Sequence, residues 1–209
     1  MERIAPLLVA LTGGTCSGKT TLAERLRARL SDLSPLVVHQ DEYFRDWGPA
    51  DAESRTRNAP DAVRWDLLRS DLQRLAAGQT VGPPPARAGR PQPPDLPRSP
   101  GRLVLAEGHL LLVDEALRGL FDLKVYLDAP DEERVLRRML RSAAPGGLEG
   151  AAAWYRRDVL PNHARHTAPT RWLADLVLPT APLTDAGFEA LVAAIRAAAL
   201  PPPGSPPLG

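Results

Sequence analysis

Gly13-Gly14-Thr15-Cys16-Ser17-Gly18-Lys19-Thr20 lies between two segments of different periodicity. Before it, Pro6–Leu11 is a short continuous apolar run that predicts a strand. After it, Leu22, Leu26, Leu30 and Leu33 recur at spacings of four and three, which predicts a helix over Thr20–Leu33. The eight residues match G-x-x-x-x-G-K-[ST], and a strand before and a helix after are the context in which that pattern binds phosphate. Glycines let backbone amides turn inward around phosphate oxygens, and the helix N-terminus adds partial positive charge. Gly13, Gly14, Thr15, Cys16, Ser17, Gly18, Lys19, Thr20 and Thr21 are therefore the candidate nucleotide cradle. Lys19 would reach the β- and γ-phosphates, and the Thr20 hydroxyl would ligate Mg²⁺. Cys16 reads as a passive small side chain, since no resolving thiol exists in the chain.

Outward from the loop, strands and helices alternate. Leu36–His39, Leu103–Ala106, Leu123–Leu127 and Leu176–Leu178 read as further strands. Asp61–Ala76, Pro130–Arg141, Leu148–Arg165 and a segment from Thr184 or Asp185 to about Leu200 read as helices. Strands without polar alternation are covered on both faces, so the pattern predicts an α/β fold: a five-stranded parallel sheet between helices. Proline punctuates it, with eight residues from Pro83 to Pro100 and five from Pro201 to Pro207. Neither stretch can be a helix or an inner strand. Residues 83–101 are expected to be a surface excursion and 201–209 a disordered tail, leaving one domain over 1–200.

Composition narrows the class. Of 209 residues, 26 are Lys or Arg and 25 Asp or Glu, so no net basic excess points to nucleic acid or a membrane surface. A single cysteine excludes a disulfide framework. No apolar run approaches the ~20 residues that span a bilayer. A cytoplasmic protein is expected, with a small-molecule partner and neither nucleic acid nor membrane.

Three kinds of phosphate-loop protein compete. A GTPase should carry an Asn-Lys-x-Asp box, which Leu123-Lys124-Val125-Tyr126 does not supply. A P-loop ATPase is suggested by Leu111-Leu112-Val113-Asp114-Glu115, an apolar run ending in acids. Leu103-Val104-Leu105-Ala106-Glu107-Gly108 is an equally apolar run just upstream, and two neighbouring strands would need a connection between them. A non-catalytic nucleotide-binding module is the other alternative. The third class, a small-molecule kinase, explains more residues.

Gln40-Asp41-Glu42-Tyr43-Phe44, Glu107-Gly108, Phe121-Asp122-Leu123-Lys124, the arginine-rich Leu136–Arg141 and Ala174–Pro179, in this order, resemble the uridine kinase family and its nicotinamide riboside kinase relatives. The resemblance spans roughly Leu7 to Pro179 and implies a P-loop kinase fold with a small lid at about 130–160. It implies ATP and Mg²⁺ as cofactors and a hydroxyl of a small, ribose-bearing metabolite as acceptor. It makes Asp41 the catalytic carboxylate and, with Thr20 and Glu107, a candidate metal ligand. Chemistry agrees, because a sugar hydroxyl is a poor nucleophile and a nearby carboxylate can accept its proton. Arg137, Arg138 and Arg141 fall on the lid helix, with Arg138 and Arg141 the candidates for closing on the transferred phosphoryl group. The four histidines show no metal-ligand set.

The substrate side departs from the family. Tyr43, Asn58, Asp66 and Trp154 are the candidate acceptor contacts. Asn58 stands where the family's ribose-holding Asp is expected, and Asp66 is the possible substitute. Pro145-Gly146-Gly147 replaces the lid's Arg-Gly-Arg, and Trp154-Tyr155 replaces a Gln-Tyr pair.

Overall fold

The computed structural model describes residues 5–45, 58–84, 96–141 and 147–199. Five strands, β1 (Leu7–Gly13), β2 (Leu36–His39), β3 (Leu103–Glu107), β4 (Leu123–Asp128) and β5 (Leu176–Pro179), form one sheet in the order β2-β3-β1-β4-β5. Every pairing is parallel. Successive side chains of β1 point to opposite faces. Leu7, Val9 and Leu11 join one core with Leu22 and Leu26 of α1 (Lys19–Arg29) and Leu191 and Ile195 of the C-terminal helix. Leu8 and Ala10 join the other, with Leu68, Leu72 and Leu75 of α2 (Trp65–Ala76) and Leu117 of α3 (Glu115–Arg118). Both faces of β1 are thus buried, which is why its sequence shows no polar alternation.

The remaining helices follow the last two strands of the chain. They are α4 (Asp131–Leu140), α5 (Gly147–Trp154), the short α6 (Leu160–Asn162) and α7 (Asp185–Ala198), the last capped by Thr184 through the Gly187 amide at 3.1 Å. Two π-helical turns, Tyr155–Val159 and His163–Thr167, flank α6.

Several boundaries differ from the sequence expectation for local reasons. The first helix stops at Arg29, and Ser31–Leu33 is a separate 3₁₀ turn ending on Ser34 at φ 50°. The second begins only at Trp65, because Val63 is held extended in an antiparallel bridge to Phe44. Hydrogen bonds from Arg64 N to Tyr43 O and from Arg45 N to Ala62 O, both 2.8 Å, fix that bridge. Leu111–Val113, the run that suggested an ATPase strand, is a turn; Asp114 caps α3 by accepting from the Leu117 amide at 2.9 Å. Of the proline tract, residues 83–84 and 96–100 are described, anchored by the Val81–Arg98 bridge. The tail 201–209 lies outside the described residues. Among those described, no helix is long and apolar enough to cross a membrane.

Candidate active site at the strand ends

The phosphate loop leaves the C-terminal end of β1, where φ is +137° at Gly13 and +98° at Gly18, values that favour glycine. Ser17 N closes the turn on Gly14 O at 3.1 Å. Lys19 opens α1 and its ammonium folds back, donating to the carbonyls of Gly13 at 3.0 Å and Gly14 at 2.8 Å. Burial lowers the Lys19 pKa, against the opposing pull of Glu107 and Asp41.

Strand register sets the carboxylates. Glu107 ends β3 opposite Leu11 of β1 on one side and His39 of β2 on the other. Its Oε1 accepts from Thr20 Oγ1 at 3.1 Å and lies 2.7 Å from His39 Nδ1. Burial works against its ionisation, but the His39 hydrogen bond and the Lys19 charge outweigh it and hold the carboxyl below its ordinary range. The same hydrogen bond raises the His39 pKa. Asp41 sits two residues past His39, in the 3₁₀ turn Gln40–Tyr43 that follows β2, with its side chain exposed.

Lys19, Thr20, Asp41, Glu107, Arg138 and Arg141 all line one cavity of about 170 Å³, together with Thr15, Cys16, Gly18, Thr21 and His109. A second cavity, about 260 Å³, lies on the other side of the loop, against Leu22, Leu127, Thr180 and Leu183. Cys16, Gly18, Thr21 and Arg141 line both, so the two form one groove around the loop. A polar end beside an apolar one suits a nucleotide, phosphates inward and base outward.

Helix α4 lies across this loop through arginines. Arg134, the largest fully buried side chain, packs on Gly14, pairs with Asp131 and donates to Thr15 O at 3.4 Å. Arg137 reaches Glu133 at 2.7 Å, Thr180 O at 3.0 Å and Cys16 O at 3.4 Å. Arg138 stacks over the Trp154 ring at 4.4 Å.

The acceptor candidates are less gathered. Tyr43 is fully buried, its hydroxyl donating to Asp71 at 2.7 Å and accepting from Arg98 at 2.8 Å. Asn58 is buried at φ 49°, and its Nδ2 finds no partner among the described residues. Asp66 is exposed in the first turn of α2. None of the three lines either cavity. Trp154 is half-buried beneath Arg138.

Three site residues carried no warning at the sequence level. Arg134 was hidden among the three arginines of α4, although it lies one turn before Arg138. His39 gains meaning only from its cross-strand neighbour Glu107. His109, two residues past Glu107, turns back into the cavity wall.

The donor set suits Mg²⁺. Thr20 Oγ1, Glu107 and Asp41 offer a hydroxyl and carboxylates on one cavity, and among the described residues no cluster of three or more His, Cys, Asp or Glu could hold a metal alone. Mg²⁺ characteristically takes one or two carboxylates and completes its shell with phosphate oxygens and water.

The chain is similar to known kinases. The phosphoribulokinase/uridine kinase family profile matches residues 8–186. A protein named uridine kinase from Brevibacillus brevis is 32% identical over 181 residues, covering 83% of this chain and 85% of that protein. One from Deinococcus deserti is 32% identical over 200 residues, covering 92% and 97%. Among solved structures, a candidate fructose transport system kinase from Silicibacter superposes with a TM-score of 0.66 at 25% identity, covering 85% of this chain and 92% of that one. Phosphoribulokinase from Rhodobacter spheroides shares the fold at a TM-score of 0.63 and 15% identity, covering 84% and 70%. With its phosphate loop, parallel sheet and acidic strand ends, the chain belongs to the phosphoribulokinase/uridine kinase family of ATP-dependent kinases.

Proposed function

We propose that this kinase transfers the γ-phosphoryl group of Mg·ATP to a hydroxyl of a small metabolite, a riboside being the favoured class. One observation carries the reading: Lys19, Thr20, Asp41 and Glu107 converge on a single cavity beneath Arg138 and Arg141. Relatives named uridine kinase support the riboside.

The residues divide the work. The amides of residues 13–20 and the Lys19 ammonium would hold the β- and γ-phosphates once Lys19 leaves its two carbonyl partners. Thr20 and Glu107, with Asp41 nearby, would hold Mg²⁺, which when bound neutralises charge on the phosphates. Asp41 takes the proton from the acceptor hydroxyl as its oxygen bonds to phosphorus and the bond from phosphorus to the ADP oxygen breaks. Arg138 and Arg141 stabilise charge on the transferred group. Residues 130–160 serve as the lid, and the enzyme works in the cytoplasm as a single kinase domain.

The test is ADP release with uridine, cytidine, nicotinamide riboside and D-fructose. Release that depends on one of them is expected; equal release without acceptor would return the chain to the ATPase class. Uridine is expected to be a weak acceptor, because Asn58, at the position where the family's ribose-holding carboxylate is expected, is neutral and lines neither cavity.

A further inference from the structure

Just past the end of β3, a cavity-lining residue carries a buried polar atom that is left over. His109 is 8% exposed, and its Nε2 has no hydrogen-bond partner among the described residues. The residue shares the 170 Å³ cavity with Asp41, Lys19 and Glu107. Its ring stacks on Phe44, centroids 5.8 Å apart and planes 29° from parallel, so packing fixes its direction. The backbone beneath is fixed as well. Gln40 Oε1 accepts from the Leu110 amide at 2.9 Å, and a Cβ at Gly108 would overlap the Gln40 side chain. The segment carrying His109 is therefore locked against the turn carrying Asp41.

A buried polar atom without a partner works against folding. It is tolerated where a ligand supplies the missing bond. The cavity already holds three cations, Lys19, Arg138 and Arg141, for the phosphates. A hydroxyl both donates and accepts, so it satisfies an imidazole nitrogen in either tautomer.

We propose that His109 is a specificity-determining residue whose Nε2 hydrogen-bonds a second hydroxyl of the acceptor, beside the one that is phosphorylated. The inference rests on the kinase reading above. It selects polyhydroxylated acceptors, sugars and ribosides, over molecules with a single alcohol.

The test compares the wild type with His109→Phe, which keeps the ring on Phe44 and removes the polar atoms, and with His109→Gln, which keeps a polar group at a similar reach. The probes are the best acceptor among uridine, cytidine, nicotinamide riboside and D-fructose, and its monodeoxy analogues. In the wild type one analogue should lose about five- to thirtyfold in kcat/KM, the range of one such hydrogen bond. His109→Phe should lose that discrimination, bind ATP unchanged and melt no lower than the wild type. His109→Gln should recover part of it. A His109→Phe protein that melts lower and keeps the discrimination would overturn the inference alone. No acceptor-dependent turnover by the wild type would overturn the kinase reading first.

Discussion

The guanidinium of Arg134 occupies the space that a side chain at Gly14 would need. A residue of α4 and a phosphate-loop residue are thus packed face to face, with Asp131 as the counter-charge. This contact couples the pose of α4 to the shape of the loop.

Gly14→Ala is accordingly expected to push Arg134 off the loop. Overpacking of this kind costs about 1–3 kcal/mol, so the melting temperature should fall and ATP affinity with it. Calorimetry and nucleotide titration check both. Wild-type values for the variant would show that Arg134 has a second resting place.

Stability should depend on pH through His39 and Glu107. Glu107 raises the His39 pKa above its ordinary 6.5, so that contribution is complete below pH 6.5 and lost as pH rises through the raised value. Glu107, held below its ordinary 4.5, contributes above pH 4.5 and loses it as pH falls through the lowered value. The difference in melting temperature between wild type and His39→Asn should therefore be largest between pH 4.5 and 6.5 and shrink as pH rises through the raised His39 value. A constant difference would mean that His39 contributes by packing alone.

Asp41→Asn keeps the side-chain size and removes the base. Turnover should drop by about 10²–10⁴, with ATP binding nearly unchanged. Undiminished kcat would shift the proton to Glu107 or Glu42.

Arg138→Met keeps an apolar stem against Trp154 while removing the charge. A kcat lower by about tenfold to a thousandfold is expected, with little change in acceptor KM. The reverse pattern, an acceptor KM effect alone, would make Arg138 a binding contact.

What the sequence made legible was local. The loop from Gly13 to Thr20 announces its own fold because its chemistry is contiguous, and each strand is itself a contiguous apolar run. Glu107 was readable from its place after Leu103–Ala106. The acceptor side was not. Tyr43 belongs to a part-buried cluster with Asp71 and Arg98, residues 28 and 55 positions away, and no spacing rule connects them. Val63 was assigned to a helix by its period, yet its pairing with Phe44 holds it extended. His109 looked idle because its burial, with Nε2 unpartnered among the described residues, is visible only in three dimensions.

The central claim is that the Lys19 ammonium, resting on the Gly13 and Gly14 carbonyls, is the group that receives the nucleotide's phosphates. The most direct measurement is acceptor-dependent ADP release by Lys19→Ala beside the wild type, with a melting curve of each. Loss of turnover is expected in a variant that still folds, because glycines and backbone, not Lys19, shape the loop. Wild-type turnover by Lys19→Ala would contradict it.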